Sequence, residues 1–446
     1  MFNRISLIDF KSYRQAILPL APLTLMIGAN ASGKSNAIEG LRVLSSLARG
    51  QRLDDLISVL QSEEQMVRGT VADLVYRKPE VVKHERKTFG FGCEDIAQDT
   101  ASDPRLSIFA IRLEVTADGM RVAAESFGDV CFGTAKRPLY EIVEPAKDYS
   151  HEVSVRYNNF GRGRRPQIIC SDQQAIFTQL GTPARFVSPD AQRLIPWATN
   201  ELRGFLDRIL FLDPNPSRIR NPSFIIEKKL KGDGSNLSSV LFDLCREQDR
   251  KAAVLDFIRA LPEQDIRDIG FLEGPRKEVI VTLTESFGRQ DRQWDAGILS
   301  DGTLRVLAIA AALLSAPEGS LVVVEEIDNG VHPSRAGMLL ENILKLAQSR
   351  KLRVLVTTHN PALLDALPVA AIPDVVCCYR DPERGDSRLI RLEDVRDYPE
   401  LVAQGPLGQL MTRGILDRYL KDRRSEDEKK AQALHWLDSL DRAGSA

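Results

Sequence analysis

Long apolar runs are missing from this sequence, which limits the classes of protein that it can encode. The longest run is VLAIAAALL, from Val306 to Leu314, and it is too short to span a bilayer. The N-terminal sequence MFNRISLIDFKSYR has no apolar segment followed by a small-residue cleavage site, so we expect no signal peptide. These absences predict a cytoplasmic protein without a membrane partner.

Cysteine is scarce, and no charge sign is in excess. The six cysteines include no C-x-x-C pair, which argues against a zinc site and against a disulfide scaffold, so reduced thiols are expected. The 60 Lys and Arg residues nearly balance the 62 Asp and Glu residues, giving a net charge of −2. Any contact with nucleic acid would therefore depend on a local basic patch.

Internal repeats and sustained heptads are also absent, so neither a solenoid nor a long coiled-coil rod is expected. Short strands end at Gly28, and an amphipathic helix follows over Lys34–Leu47. The stretch 107–169 is mainly strand-like, and helices are predicted over 199–211, 236–248 and 250–261.

From Asp301 onward, helices and apolar strands alternate, which is typical of parallel α/β structure. The fold class predicted is α/β, with a mixed or parallel sheet, helices and an inserted strand-and-helix region. Four parts are predicted along the chain: an N-terminal lobe with the strand-rich insertion (1–190), a helical insertion or arm (191–275), a C-terminal lobe (276–400) and a helical tail (401–446).

Residues 28–35 read GANASGKS, which fits the pattern G-x-x-x-x-G-K-S between an apolar strand and a helix. Its glycines allow backbone N–H groups to turn inward onto phosphate oxygens, and the helix N-terminus adds its dipole. In this motif Lys34 reaches the β- and γ-phosphates of a nucleotide, and Ser35 binds Mg²⁺. The stretch therefore predicts a nucleoside triphosphate site.

Two later apolar strands end in groups that such a site needs. SLVVVEE ends in Glu325 and Glu326, and LRVLVTTH ends in His359, at the strand ends where ligands of open α/β sheets bind. We expect Glu325 to support Mg²⁺, usually through water, and Glu326 to orient or deprotonate the attacking water. His359 is placed to contact a γ-phosphate. Without the phosphate loop, a surface acidic turn and a structural histidine would be the simpler interpretations.

A second anion site is predicted where Ser300, Asp301 and Gly302 begin an apolar helix. Ordinary N-capping by Ser300 or Asp301 is the alternative interpretation. A phosphate loop and a separate anion-binding helix start in one chain suggest that two chains share ATP.

These motifs, in this order, resemble those of ABC-type ATPases, and more narrowly the SMC/RecF/OLD-like branch, the AAA-type predicted ATPases of bacteria. The similarity covers about residues 1–50 and 295–365, with short stretches between them. It includes ISLIDFKSYR, Asn30 and Asn36, KGDGSNLSSVLFDL, LSDGTLRVLAIAAALL and EEIDNGVHP.

The resemblance implies an ABC-type ATPase head that binds ATP and Mg²⁺. The nucleotide-binding residues that it implies are Gly28, Asn30, Ser32, Gly33, Lys34, Ser35 and Asn36, with Ser300, Asp301 and Gly302 acting on ATP bound to a partner subunit. Ser35 and Glu325 would hold the metal, while Lys34, Glu326 as the catalytic carboxylate and His359 as the switch histidine would act in hydrolysis. ATP would join two copies head to tail, and hydrolysis would release them.

Three departures from the family pattern stand out. The metal-side carboxylate is usually Asp and is Glu325 here, and His332 occupies a position where many relatives carry Asp. The glutamine of the usual Q-loop has no clear position, with Gln173, Gln174 and Gln179 all remaining candidates.

The 262 residues between Asn36 and Leu299 show which subtype of this ATPase superfamily the sequence fits best. They contain no heptads for an SMC rod and exceed the gap of a transporter cassette, and no compact acidic site of an OLD-type nuclease follows His359. We therefore expect an ATPase subunit without a fused nuclease. The resemblance further implies that its ATP-bound homodimer controls a separate effector, such as a nuclease or toxin in anti-phage defence. The alternatives are a RecF-like DNA-binding repair clamp and a purely structural ATP binder. The clamp would use Arg162, Arg164, Arg165, Arg218 and Arg220.

Overall fold

The computed structural model describes residues 2–60, 67–77, 86–95, 108–117, 119–128, 138–146, 150–259, 265–287, 290–329 and 333–422. His332 and residues 423–446 of the predicted helical tail lie outside these ranges. The longest helix in the described part has 19 residues. Within that part, no helix has both the length and the apolar character needed to cross a membrane.

The strands are β1 (Arg4–Phe10), β2 (Tyr13–Pro19), β3 (Leu23–Ile27), β4 (Lys87–Glu94), β5 (Ile108–Thr116), β6 (Gly119–Phe127), β7 (Tyr140–Glu144), β8 (Glu152–Tyr157), β9 (Gln167–Ser171), β10 (Leu210–Leu212), β11 (Ser223–Phe224), β12 (Ile266–Glu273), β13 (Glu278–Phe287), β14 (Gln290–Asp295), β15 (Leu321–Val324), β16 (Arg353–Thr357), β17 (Val376–Arg380) and β18 (Ser387–Arg391).

The α-helices are α1 (Lys34–Leu47), α2 (Leu53–Leu60), α3 (Ile176–Gln179), α4 (Pro189–Asp207), α5 (Pro216–Ile219), α6 (Leu237–Leu244), α7 (Gln248–Arg259), α8 (Asp301–Ser315), α9 (Pro333–Ser349), α10 (Pro361–Asp365), α11 (Tyr398–Ala403), α12 (Leu407–Thr412) and α13 (Ile415–Lys421).

A six-stranded sheet in the order β10-β15-β16-β3-β17-β18 forms the core of the molecule. Its first five strands are parallel, and β18 pairs antiparallel to β17 at the edge. The predicted α/β class with a mixed sheet is therefore confirmed. The sheet takes strands from three of the four predicted parts of the chain, and the boundaries between those parts stay a prediction.

Apolar side chains cover both faces of this core sheet. In β3, Leu23, Leu25 and Ile27 belong to one hydrophobic cluster, whereas Met26 belongs to the other. The apolar side of α8 packs in the first cluster and that of α1 in the second, so these two helices lie on opposite faces of the sheet. Burial on both faces explains why the parallel strands appear in the sequence as unbroken apolar runs.

The strand-rich stretch predicted over 107–169 contributes to an antiparallel eight-stranded sheet, ordered β2-β1-β4-β5-β6-β7-β8-β9. A smaller sheet joins β13 to β11, β12 and β14. The helix predicted over 199–211 is α4, which begins ten residues earlier, at Pro189. The reason is local capping, because Ser188 Oγ accepts the N–H of Ala191 and proline suits the first turn of a helix.

Glu125 is a buried carboxylate between the antiparallel sheet and α3. It accepts the backbone N–H groups of Ile176 and Phe177 and the hydroxyl of Tyr140, each at 2.7 Å. Burial raises the pKa of this carboxyl from 4.5 to about 7, although the three hydrogen bonds act in the opposite direction.

Candidate nucleotide-binding site

The stretch 28–33 is a tight loop between β3 and α1, and two of its glycines are required by the backbone. Gly28 has φ 150°, and a Cβ there would lie 2.1 Å from the carbonyl oxygen of Cys378. Gly33 has φ 122°, and a Cβ there would lie 2.5 Å from Ser387 Oγ. The predicted phosphate loop therefore folds as a strand–turn–helix element whose backbone passes close to β17 and β18.

The N-terminus of α1 is open to an anion. Gly33 occupies the cap position, and no side chain caps the first N–H groups of this helix. Lys34 is 7% exposed and donates its ammonium hydrogens to the carbonyls of Gly28 and Ala29. Burial lowers the pKa of Lys34, and nearby Glu326 acts to raise it. The loop thus holds a cation and unpaired N–H donors at the place where phosphates are expected.

A cleft of about 630 Å³ lies over this loop. Its walls include Asn30, Gly33, Lys34, Ser35 and Asn36 of the predicted site, together with His359. They also include three cations that the sequence analysis did not identify: Lys11, Arg68 and Arg380. No spacing rule links these cations to the loop, because they come from three distant parts of the chain.

Glu39, on α1, organises two of the three cations. Its side chain is 8% exposed and forms ion pairs with Lys11 and with Arg68, where the Arg68 Nε to Glu39 Oε1 distance is 2.7 Å. Lys11 Nζ also donates to the carbonyl of Arg68 at 2.7 Å. The positive wall of the cleft is therefore fixed to the same helix that begins at Lys34.

Hydroxyl and amide groups support the loop on the side of β18. Asn36 Nδ2 donates to Ser12 Oγ at 2.8 Å, and Ser387 Oγ lies 2.8 Å from Ser12 Oγ and 2.5 Å from the carbonyl oxygen of Ser32. Arg380 Nε donates to the carbonyl of Ala31 at 3.1 Å. The amide of Asn36, predicted to bind nucleotide, thus makes an internal bond in this structure.

The carboxylates and the histidine follow neighbouring parallel strands at one edge of the core sheet. Glu325 and Glu326 follow β15, His359 follows β16, and Gly28 follows β3. Since adjacent strands are about 4.8 Å apart, the carboxylate strand lies only about 10 Å from the strand that leads into the phosphate loop. The tertiary structure therefore brings these predicted site residues together.

Glu326 is held in an unusual backbone conformation beside His359. Its φ is 47°, in the left-handed region that non-glycine residues rarely adopt, and its N–H donates to Thr357 Oγ1 at 3.0 Å. Asn329 Nδ2 donates to Glu326 Oε2 at 2.7 Å, and His359 Nε2 lies 3.7 Å from Glu326 Oε1. The Glu326 and His359 side chains are about half exposed. The Glu326 carboxylate is therefore open to water, while the bond from Asn329 holds it in place.

Glu325 contacts α1 rather than standing free at the strand end. Its Oε1 lies 2.6 Å from a terminal nitrogen of Arg42, and its backbone N–H donates to the carbonyl of Leu212 at 3.1 Å. Among the described residues, no three Asp, Glu, His or Cys side chains are grouped to hold a metal. A hydroxyl such as that of Ser35 and one carboxylate fit Mg²⁺ that arrives with a nucleotide, because phosphates and waters complete its coordination.

Ser300, Asp301 and Gly302 are not among the residues that line the cleft, and α8 packs on the opposite face of the core sheet from α1. Ser300 Oγ accepts the N–H of Thr303 at 3.1 Å. This is the ordinary N-cap that the sequence analysis gave as the alternative interpretation. Asp301 pairs with Arg220 at 2.6 Å. Ser300 and Asp301 are nevertheless exposed, so a second molecule can reach this helix start.

The three Q-loop candidates lie away from the phosphate loop. Gln174 donates to the carbonyl of Gly50, just beyond the C-terminal end of α1. This helix has 14 residues and is therefore about 21 Å long, which separates Gln174 from Lys34 at the opposite end. The Gln173 side chain donates to the Asp172 carboxylate. The Gln179 side chain bonds to the backbone N–H and carbonyl of Ser171.

The basic residues proposed for DNA are partly neutralised. Arg165 lies 3.3 Å from Glu141, Arg218 lies 2.8 Å from Asp233, and Arg220 pairs with Asp301. Arg162 and Arg164 are exposed in the loop between β8 and β9. These pairings weaken a basic patch as an argument for a DNA clamp.

Comparison with known proteins gives one family match. Residues 205–365 match the family model described as "AAA domain, putative AbiEii toxin, Type IV TA system". This segment includes α8, β15 and β16, and thus Ser300, Glu325, Glu326 and His359. The comparison with curated proteins gives no match.

Solved structures similar to the chain include three SMC heads. One is the Smc head bound to the C-terminal winged-helix domain of ScpA, with 15% identity, a TM-score of 0.46, and coverage of 88% of this chain and 98% of that one. An Smc head with an extended coiled coil bound to the C-terminal domain of ScpA, derived from Pyrococcus furiosus, has 13% identity, a TM-score of 0.45 and coverage of 90% and 99%. The SMC head domain from Thermotoga maritima has 13% identity, a TM-score of 0.40 and coverage of 87% and 98%.

The family match supports the predicted resemblance over residues 205–365. Residues 205–365 are similar to an AAA-domain family, and the fold places a phosphate loop after β3 and carboxylates after β15 of one mostly parallel sheet. The roles of individual residues in binding and hydrolysis stay predictions.

Proposed function

We propose that this chain is an ATP-hydrolysing enzyme whose ATP-bound form is a head-to-tail homodimer that uses Mg²⁺. One observation carries the proposal: the residues that line the phosphate-binding cleft include none from the start of α8, where Ser300 and Asp301 are exposed to solvent. In this arrangement a single chain does not hold Ser300 and Gly302 against a nucleotide in its own cleft, and a second copy would supply them.

In this proposal the chain's own groups divide the chemistry. Lys34 and the N–H groups at the start of α1 bind the β- and γ-phosphates, and Ser35 and Glu325 hold Mg²⁺. Bound Mg²⁺ would neutralise the negative charge that develops on the phosphates. Glu326 orients the attacking water and accepts its proton, and His359, at 3.7 Å from this carboxylate, adjoins the γ-phosphate.

The first experiment tests the shared site. We expect Glu326→Gln to bind ATP without hydrolysing it, and therefore to form a dimer in ATP and Mg²⁺ that light scattering after gel filtration detects. Adding Lys34→Ala, which removes the phosphate-binding cation, should return the protein to a monomer. A Glu326→Gln protein that stays monomeric in saturating ATP would show that the nucleotide does not join two heads.

A mixing experiment tests which parts of the site each chain supplies. Lys34→Ala and Ser300→Arg should each be inactive alone. The first removes the phosphate-binding cation from the cleft, and the second blocks the start of α8. In an equal mixture, a dimer with one chain of each kind has one intact site of two, so activity should return to at most about half of the wild-type value. No recovery on mixing, with both variants folded, would refute the head-to-tail arrangement.

We further propose that the ATP-bound dimer controls a separate effector in anti-phage defence. This step rests on analogy, supported by a family description that names a toxin of a toxin–antitoxin system. Bacteria carrying the protein with its neighbouring genes should lose protection from phage when Lys34→Ala or Glu326→Gln is introduced. Equal protection with Lys34→Ala would show that ATP does not control the effector.

The repair-clamp alternative has less support, because three of its five arginines are paired with carboxylates. It predicts duplex binding that weakens steeply with salt and falls further when Arg162 and Arg164 are replaced by Ala. Binding of labelled duplex at two salt concentrations, with and without ATP, separates this function from effector control.

A further inference from the structure

Arg42 connects α1 to the predicted metal-side carboxylate, across 283 residues of sequence. One of its terminal nitrogens lies 2.6 Å from Glu325 Oε1, and the guanidinium carbon lies 4.7 Å from the centre of the Phe211 ring. The Arg42 and Glu325 side chains are 21% and 28% exposed. The ion pair is therefore partly shielded from solvent and has an aromatic ring beneath it.

The position of Arg42 on α1 relates this ion pair to the predicted metal site. Ser35 and Arg42 are seven residues apart, so they lie on the same face of the helix, two turns from each other. Side chains on a helix lean toward its N-terminus, so the long arginine side chain extends toward Ser35. The same face of α1 thus carries the predicted hydroxyl ligand and the residue that holds the predicted carboxylate ligand.

Glu325 needs such a partner more than the usual aspartate would. Its backbone is fixed, because the N–H donates to the carbonyl of Leu212 within the core sheet. Its side chain has one more rotatable methylene than Asp, which widens the range of positions that the carboxylate can occupy. A bond from Arg42 to Oε1 removes that freedom and leaves Oε2 available to a metal-bound water.

We propose that Arg42 is a positioning residue that orients Glu325 for the Mg²⁺ bound together with nucleotide. The inference rests on the proposed function, because it assumes that nucleotide and Mg²⁺ bind at this site. Phe211 supports the guanidinium from behind, and Arg is preferred to Lys because its planar group can bond the carboxylate and stack on the ring at once.

Two opposing effects act on the metal. The guanidinium orients Glu325, which strengthens Mg²⁺ binding, but its positive charge repels a cation. Groups that orient metal ligands typically change metal affinity by about 10- to 100-fold. Both members of the pair retain some exposure, so solvent screens the repulsion. We therefore expect orientation to dominate.

The experiment measures how binding of a fluorescent ATP analogue depends on Mg²⁺ concentration, with no readout of hydrolysis. Arg42→Met should raise the Mg²⁺ concentration at half-maximal effect about tenfold and leave metal-free nucleotide binding unchanged. Arg42→Lys, which keeps the charge but loses the planar group, should give a smaller rise. Arg208→Met, which changes an exposed arginine that donates to the carbonyl of Gly204, is the matched control and should give no change.

A double-mutant cycle with Glu325→Gln makes the test specific. If Arg42 acts through Glu325, then Arg42→Met should shift the Mg²⁺ midpoint in the wild-type background and not in the Glu325→Gln background. Equal shifts in both backgrounds would overturn the proposal.

The other outcomes are also decisive. An unchanged midpoint would overturn the positioning role, and a lowered midpoint would mean that Arg42 competes with the metal for Glu325. A parallel loss of metal-free binding would assign Arg42 to the fold or to the nucleotide. If the wild-type protein binds no ATP analogue at all, the proposed function itself fails, and the inference fails with it.

Discussion

Glu125 provides a quantitative test of which effect dominates at a fully buried carboxylate. Three hydrogen bonds of 2.7 Å favour its ionised form, whereas burial favours the protonated form and raises the pKa from 4.5 to about 7. Because one pKa unit corresponds to about 1.4 kcal/mol, this rise is equivalent to about 3 kcal/mol.

The direction of the effect follows from proton linkage. Between pH 4.5 and 7 the folded protein keeps a proton on Glu125 that the unfolded chain has released, so the free energy of unfolding falls as pH rises. The loss amounts to about 3 kcal/mol and levels off above pH 7. Two neighbours contribute nothing in this window: burial raises the pKa of Tyr140 well above 10 and that of Cys170 to about 11, so both stay neutral.

Urea unfolding at several pH values between 5 and 8, for wild type and Glu125→Gln, measures this contribution. The variant cannot ionise, so its free energy of unfolding should fall less steeply with pH, by up to about 3 kcal/mol over the range. Its amide also faces the N–H of Ile176, which lowers stability at every pH, so the slope and not the absolute value is the readout. Parallel profiles for the two proteins would refute the reasoning, because they would mean that the hydrogen bonds keep Glu125 ionised.

Three further predictions concern the loop, the catalytic strand end and the core. Gly33→Ala should abolish binding of an ATP analogue and lower the melting temperature more than Gly163→Ala does. Gly163 has a similar φ, but no atom lies within 4 Å of a Cβ added there, so equal effects would exclude the predicted clash. Thr357→Val removes the acceptor for the N–H of Glu326, so we expect kcat to fall at least tenfold with unchanged ATP binding, while Thr357→Ser stays near wild type. Leu307→Ala, in the fully buried part of α8, should reduce the free energy of unfolding by about 2–5 kcal/mol in urea titration, and a loss below 1 kcal/mol would contradict the packing described.

Local elements of the site are predictable because neighbouring residues determine them. The phosphate loop depends on two glycines with positive φ, an apolar strand before them and a helix after them, all within about 25 residues. The strand ends at Glu325 and His359 follow from apolar runs that are buried on both faces of a parallel sheet. The start of α4 lies ten residues before the predicted one, because Ser188 caps the helix and Pro189 opens its first turn.

The sequence by itself determined the chemical parts: a phosphate loop, two carboxylates, a histidine and a helix start with exposed polar residues. Only the tertiary structure decided how those parts meet. The strand order β15-β16-β3 brings the carboxylates near the loop, Lys11, Arg68 and Arg380 converge on the cleft, and α8 packs on the face of the sheet opposite α1. Contacts such as Arg42 with Glu325 join residues far apart in the chain, and pairing and packing of the whole sheet, rather than any local pattern, set their geometry.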